Sequence, residues 1–280
     1  MNLTNVQRDP KLEATLSRYM NECPLKGPVY AFQESGSTME EAHALAAAGA
    51  VEGTLVWAAR QTRGRGRFGR TWVSPEGGAY FSIILRPERQ ATEIPQLSLV
   101  AGLGLVEGLR QLGRSSPSIR WPNDVLIDSK KVAGILVEAR SSANPERRTP
   151  NPERYVVIGI GVNVTTPATD LPETAISLRD VLQRSLHPHQ VTGAFWRRFA
   201  VWYDVWTQQG FPPVREALRP HLALFGEVVR IDQQQATSNK RQEKSVEGQA
   251  LDIDEAGRLL VRLDSGVVKA FEVGEVTLLR

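Results

Sequence analysis

Residues 60–70 read RQTRGRGRFGR: five arginines, three glycines and no acid, set between two runs apolar enough to be buried strands, 54–59 and 79–85. Charge of that density has no place inside a core, so the two strands must reach a common rim and leave their connection lying over it. The guanidinium groups repel one another and the glycines raise backbone entropy, which predicts a segment poorly ordered until an anion arrives. Arginine forks onto phosphate or carboxylate through paired charge-assisted hydrogen bonds, and Gly64, Gly66 and Gly69 let backbone N–H groups approach the same oxygens. The expected role is an anion-binding loop.

Three other readings compete. GRGRFG satisfies GxGxxG, follows an expected strand and has Glu88 about twenty residues on, as a dinucleotide fold requires. The chain then continues through Thr71, Trp72, Pro75, Gly77 and Gly78, which open no helix toward a pyrophosphate. An arginine–glycine nucleic-acid segment is the second, although such segments sit in low-complexity tails. A solvated basic turn is the third. The whole chain balances 34 Lys and Arg against 31 Asp and Glu, a net +3 over 280 residues, so basic chemistry is local and no DNA-coating surface is expected.

One cysteine, Cys23, excludes an internal disulfide framework and a multi-cysteine metal site, and makes the cytoplasm the simplest compartment. Arg8, Asp9, Lys11 and Glu13 interrupt any secretory signal, and the most apolar window, 97–109, contains Ser98 and Glu107 and falls short of the roughly 18 residues of a membrane span. No glycine–lysine phosphate loop, HExxH or GxSxG signature occurs, so metal-centred and serine-hydrolase chemistries lose support, and no metal-ligating residues are assigned.

At 280 residues the chain exceeds the size at which a single core usually stops growing. Residues 1–30, with one amphipathic stretch at 11–20, read as an N-terminal extension, 31–220 as the main domain and 221–280 as a small second domain. The run STMEE at 37–41 opens an alanine-rich helix with a capping-box pattern, ended at Gly49 or Gly53. An apolar helix is expected at 95–112. Another, at 191–209, carries Phe195, Trp196, Phe199, Trp202, Tyr203 and Trp206 on one face, the pattern of a core stripe. Strands are expected at 118–128, 132–139 and 155–164. After Pro220, glycine-punctuated runs at 227–231, 245–253, 258–263 and 267–273 predict a small antiparallel barrel, with 233–244 a polar loop between them. The doubled NPER at 144–147 and 151–154 reads as an exposed connection. The fold class is α+β.

Residues 120–140, RWPNDVLIDSKKVAGILVEAR, form the second informative stretch. Pro122 forces Trp121 into an extended conformation, which ends a strand and presents Asn123 and Asp124 at its exit. Asp128, Ser129 and Lys130 make a tight turn, and Lys131 starts the returning apolar strand, where a compact positive charge enters a semi-enclosed pocket. An ordinary snorkelling lysine is the plainer alternative. Gly134 inside this strand marks a place where something approaches the backbone closely.

Together GRGRFGRTW at 64–72, WPNDV at 121–125, KVAGIL at 131–136, GIGVN at 159–163 and the small C-terminal barrel resemble the catalytic domain of biotin protein ligase, also called biotin–acetyl-CoA-carboxylase ligase, over roughly residues 30–280. The resemblance implies a mixed-sheet catalytic domain of the biotin/lipoate ligase type with helices packed on it, followed by an SH3-like barrel. It implies that biotin attacks the α-phosphate of ATP, with Mg²⁺, to give biotinyl-5′-AMP, and that a lysine of the biotin carboxyl carrier protein takes the biotinyl group.

By resemblance Lys131, Arg65 and Arg67 carry the chemistry at the biotin carboxylate and α-phosphate. Ser37, Thr38, Met39, Gln61, Gly64, Gly66 and Gly134 join them around biotin, while Arg70, Trp72, Asn123, Asp124 and Asn163, with Arg67 and Lys131, hold ATP or the adenylate. The arginine loop folds over the adenylate when ligand charge cancels its self-repulsion. Two positions depart from the family: Met39 stands where asparagine is common, and the terminal GEVTLLR is one residue longer before Arg280 than in some relatives. Some relatives carry an N-terminal helix-turn-helix. With one helical stretch before Ser37, a monofunctional ligase without DNA binding, monomeric or homodimeric, is expected. Lipoate–protein ligase is the alternative enzyme, and a nucleic-acid-binding module the non-enzyme alternative.

Overall fold

The computed structural model describes residues 8–113, 115–142, 153–237, 240–272 and 274–279. Strands Val29–Ser35 (β1), Leu55–Gln61 (β2), Gly78–Leu85 (β3), Ser118–Arg120 (β4), Asp124–Ile127 (β5), Lys130–Ser142 (β6) and Glu153–Asn163 (β7) build one sheet in the order β1-β2-β3-β7-β6-β5-β4. The β1–β2 pair is parallel because a helix, Thr38–Ala47 (α2), crosses between them. The other pairs are antiparallel.

The sheet's two faces have different work. Phe81, Ile83, Ile135, Ile158 and Ile160 alternate onto one face and pack beneath the helices Gln96–Leu112 (α3) and Pro188–Gln209 (α5). These two helices approach closely because Gly104 and Gly108 of α3, four apart and so on one face, lie against α5: a Cβ on either would sit 2.9 Å from backbone atoms of Phe199 or Ala194. The aromatic stripe of α5 is core as its spacing predicts, with Phe195, Phe199, Tyr203 and Trp206 stacked in turn at ring separations of 5.1, 5.7 and 6.0 Å. The first helix, Pro10–Met20 (α1), is capped by Asp9, whose carboxylate accepts from the N–H groups of Lys11 and Leu12. On the opposite sheet face Val56, Ala58, Ile84 and Val157 pack against Met39, Ala42 and Leu45 of α2.

The expected run 118–128 divides at the cis Trp121–Pro122 bond into β4 and β5, which pair as a hairpin. Asp128 and Ser129, at φ 50° and 63°, then turn β5 into β6, the paired left-handed geometry that matches strand twist in a two-residue hairpin.

The C-terminal part forms a separate five-stranded antiparallel sheet, Val228–Thr237 (β8), Lys240–Ile253 (β9), Leu259–Arg262 (β10), Val268–Phe271 (β11) and Glu275–Leu278 (β12), in the order β11-β10-β9-β8-β12. The segment 233–244 is therefore not a connecting loop. Its residues 233–237 and 240–244 continue the β8–β9 ladder as far as the Thr237–Lys240 pair. A ladder is held by backbone groups, and a run whose one apolar residue is Ala236 carries no alternation to reveal it. The repeat at 144–147 and the start of that at 151–154 lie outside the described residues, while Glu153 and Arg154 belong to β7. Among the described residues no helix is long and apolar enough to cross a membrane.

Candidate active site

A cleft of about 150 Å³ opens on the α2 side of the large sheet. Its floor is made of glycines. Gly134 of β6 and Gly161 of β7 face each other across the ladder, with Leu136 and Gly159 the next pair on the same face. The bare backbone admits side chains from above: a Cβ at Gly134 would lie 2.9 Å from the Trp72 ring, one at Gly161 2.5 Å from Trp72 Nε1, and one at Gly159 2.5 Å from Met39 Sδ. The close approach expected at Gly134 is thus made by the Trp72 indole. Its Nε1 is buried without a partner among the described residues, and Lys131 Nζ lies 5.2 Å from the ring centre.

Lys131 reaches this face through a strand irregularity. Opposite the consecutive β5 residues Leu126 and Val125, β6 presents Lys131 and then Ala133, leaving Val132 as an extra residue. The insertion reverses the alternation, so Lys131 shares a face with Gly134, whose Cβ would meet Lys131 Cε at 3.3 Å. Its backbone is held by Lys131 N–H donating to Thr174 O and Ile176 N–H donating to Lys131 O. The ammonium sits 2.6 Å from Asp124 Oδ1, and Arg120 holds the other carboxylate oxygen at 2.6 Å.

The inner wall is the start of α2. Ser37 occupies the N-cap position, but its hydroxyl makes no cap bond and is buried without a partner among the described residues, so the expected capping box is not formed. Gln61, at the end of β2, does that work instead: its Oε1 accepts from Thr38 N–H at 2.8 Å and from Thr38 Oγ1 at 3.1 Å. Gln61 Nε2 donates to Ser74, Ser74 to the Trp72 carbonyl, and Ser82 to Thr38. A polar chain thus runs from the α2 terminus to the backbone beneath Trp72, leaving Ser37 Oγ uncommitted at the cleft.

The arginine loop closes the cleft as a small hairpin. Trp72 N–H donates to Gly64 O, Arg65 bridges Thr71, and Gly66 N–H donates to Arg70 O at 2.8 Å, with the tip turning at Phe68 and Gly69, both at positive φ. Gly64 is needed because a Cβ there would overlap Ser74 Oγ and the Trp72 carbonyl. The self-repulsion that the loop's own composition predicts is countered by charges from outside it. Acids from elsewhere in the fold face it: Glu34 lies near Arg60, Glu40 near Arg63, Glu138 binds Arg65 at 2.6 Å, and Glu275 of β12 binds Arg70 through two 2.6 Å bonds. Arg67 differs. Its Nη1 donates to neutral oxygens, Asn123 Oδ1 at 2.7 Å and Gly274 O at 3.3 Å, and burial lowers its pKa against the raising influence of Asp124 and Glu275. Among the described residues it is a half-buried cation lining the cleft without a bonded carboxylate, a natural seat for an anion.

Of the residues singled out from the sequence, Ser37, Thr38, Met39, Gln61, Arg65, Gly66, Arg67, Arg70, Trp72, Asn123, Asp124, Lys131 and Gly134 line this cleft. Gly64 and Asn163 do not. Gly64 shapes the loop, and Asn163 is buried with its amide toward the carbonyls of Lys131 and Ile176. Arg280 lies outside the described residues.

Phe68, Gly159, Gly161, Gly274 and Glu275 line the cleft without having been singled out. The GIG triplet carried a usable signal, because glycines two apart share one face of a strand. Glu275 carried none, being distant in sequence and ordinary in type.

Comparison with known proteins gives the same picture. Residues 30–163 match the model of the biotin/lipoate A/B protein ligase family, and residues 239–279 that of the biotin protein ligase C-terminal domain. The bifunctional ligase/repressor BirA of Bacillus subtilis (strain 168) is 35% identical over 240 residues, 84% of this chain and 69% of that protein. The biotin–[acetyl-CoA-carboxylase] ligase of Paracoccus denitrificans is 34% identical over 78% of this chain and 88% of its own length. The solved biotin protein ligase from Aquifex aeolicus in complex with biotin and ATP superimposes with a TM-score of 0.73 at 28% identity, covering 90% of this chain and 98% of that one. With its glycine floor, its lysine at a bulged strand and its arginine loop in the matched region, the chain belongs to the biotin/lipoate A/B protein ligase family, and within it to the biotin protein ligases.

Proposed function

We propose that this chain joins biotin to ATP, giving biotinyl-5′-AMP and pyrophosphate, and then transfers the biotinyl group to a lysine of the biotin carboxyl carrier protein of acetyl-CoA carboxylase. The observation that carries the reading is the convergence of Arg65, Arg67 and Lys131 on one cleft over a glycine-rich floor. A carboxylate oxygen attacking an α-phosphate brings anions together, and fixed cations aimed at that point stabilise the charge that builds there. Arg67 and Lys131 take the reacting oxygens, with Arg65 beside them. The unpartnered Ser37 hydroxyl, together with Thr38 and Gln61, takes the ureido end of biotin, while Met39 contributes an apolar contact. Trp72 offers adenine its flat face, with Asn123, Asp124 and Arg70 around it. Transfer then needs only the acceptor amine to reach the acyl carbon, releasing AMP and a proton.

Magnesium enters this reading with the polyphosphate. Among the described residues no three His, Cys, Asp or Glu side chains converge, and Asp124 is already paired with Arg120 and Lys131. The donor set would suit an ion held mainly by phosphate oxygens: of the cleft's carboxylates, Glu275 is bonded to Arg70 and Asp124 would be the one nearer Lys131. We place the enzyme in the cytoplasm, a reading that its single, buried cysteine supports.

ATP–pyrophosphate exchange measured with biotin, with lipoate and with neither tests the proposal. Exchange that depends on biotin supports it, and exchange with lipoate alone replaces it with the lipoate reading, which the C-terminal match disfavours. Salt-steep RNA binding without exchange supports the nucleic-acid alternative, against which stands the pairing of the loop arginines with the protein's own acids.

A further inference from the structure

Behind the arginine loop lies a cluster that the reaction as described does not use. Glu138 follows Gly134 and Leu136 at alternate positions of β6, so it stands on the cleft side of the sheet, beyond the end of the cleft itself. Its carboxylate accepts from both terminal nitrogens of Arg65, at 2.6 Å from Nη2 and 3.4 Å from Nη1. The same carboxylate meets His43 Nε2 at 2.9 Å and Arg140 Nη2 at 3.1 Å. His43 is buried on α2, the helix whose first residues are Thr38 and Met39, whereas Arg140 is half in solvent. Among the described residues Arg65's guanidinium bonds to no other group. Arg65 lines the cleft and Glu138 does not.

From this geometry we infer that Glu138 is a positioning residue for Arg65, clamping the guanidinium fork at the cleft and tying it, through His43, to the helix that forms the inner wall. The inference rests on the reading of the cleft as the adenylation site. An arginine on a glycine-rich hairpin samples many directions, and each productive contact then costs the entropy of aiming it. Two N–H groups fixed on a carboxylate leave the rest of the fork pointing one way before any ligand arrives. Because the carboxylate is also held by α2, the arginine's direction and the position of Ser37 and Thr38 are set by one anchor.

Two measurements on the full chain test this, one of them independent of activity. In limited digestion with trypsin, cleavage after Arg65 is compared with cleavage after the neighbouring, mostly exposed Arg63. Glu138→Gln is expected to raise the Arg65-to-Arg63 ratio several-fold, and Glu138→Asp, which keeps the charge, to restore part of the protection. A loss of global stability alone moves both sites together and leaves the ratio unchanged, and an unchanged ratio overturns the inference. Should Glu138→Gln not fold, Glu138→Asp carries the same comparison with a smaller rise expected.

In the second measurement, escape of biotinyl-AMP is followed in the wild type, Glu138→Gln, Arg65→Ala and the double variant. Glu138→Gln is expected to speed escape about tenfold to a hundredfold, and to add nothing in the Arg65→Ala background. Additive effects reject action through Arg65. A wild type without biotin-dependent exchange sinks the ligase reading instead, and leaves the cleavage ratio to judge the Arg65–Glu138 clamp.

Discussion

Lys131 Nζ lies 2.6 Å from Asp124 Oδ1 although the two residues start on adjacent strands of one hairpin, because the extra residue Val132 turns the lysine onto the face where Asp124 is held by Arg120. The ammonium is therefore fixed by a carboxylate on one side and by the Trp72 ring on the other, and a reacting oxygen meets a charge that needs no reorganisation. Lys131→Ala is expected to slow adenylation by about a hundredfold to a thousandfold, the loss typical of one donor aimed at a transition state. Transfer from supplied biotinyl-AMP should fall far less. Exchange kinetics and single-turnover transfer, run side by side, check this, and equal losses in both steps count against the assignment.

The position of Lys131 at the start of an apolar return strand was legible in the sequence, although an ordinary snorkelling lysine fits that position as well, and it was the resemblance that gave the residue its role. The bulge that aims it was not legible, since one extra residue in an unbroken apolar run leaves the pattern readable in either register. The same holds for Ser37. Its place at a helix start was plain, yet whether its hydroxyl caps the helix depends on Gln61, which arrives from another strand. The arginine loop looked self-repelling because its local composition holds no acid. Glu40, Glu138 and Glu275 come to it only through the fold. In the small sheet, residues 233–237 and 240–244 continue a backbone ladder that their sequence, without an apolar alternation, did not announce.

Arg67 is the loop arginine whose bonds go to neutral oxygens, and it is half-buried where it makes them. Arg67→Ala should cost the free protein little, because truncation also removes a desolvated cation. Biotinyl-AMP should leave about tenfold to a hundredfold faster, as the loss of a charge-assisted partner in a shielded site implies. Release followed by rapid quench, with the melting temperature as control, checks both halves. Unchanged retention of the adenylate contradicts the role given to Arg67.

Gly161 and Gly134 form a cross-strand pair directly under the Trp72 indole. In Gly161→Ala the new methyl would stand 2.5 Å from Trp72 Nε1 and 2.7 Å from Cε2, so the ring must lift. Overpacking of this kind costs about 1–3 kcal/mol. It falls on the tryptophan assigned to adenine, so the KM for ATP should rise more than the KM for biotin, accompanied by a change in tryptophan emission. A variant with unaltered KM for ATP would separate Trp72 from nucleotide binding.

The Glu138 carboxyl is held down to about 2, first by its hydrogen bond with His43 and then by the charges of Arg65 and Arg140, which outweigh the opposing effect of burial. A carboxyl whose folded pKa lies below its ordinary 4.5 binds fewer protons in the folded than in the unfolded chain, so it stabilises the fold fully above that ordinary value. The contribution is lost as the pH falls through about 2. Glu138→Gln removes the titration. The stability margin of wild type over this variant should thus be level from about pH 5 to neutrality and shrink progressively below about pH 4.5. Urea midpoints of the two proteins across that range measure it. A margin that stays constant down to about pH 3 would mean that the ionised carboxylate does not carry the clamp, and that Arg65 is held by shape alone.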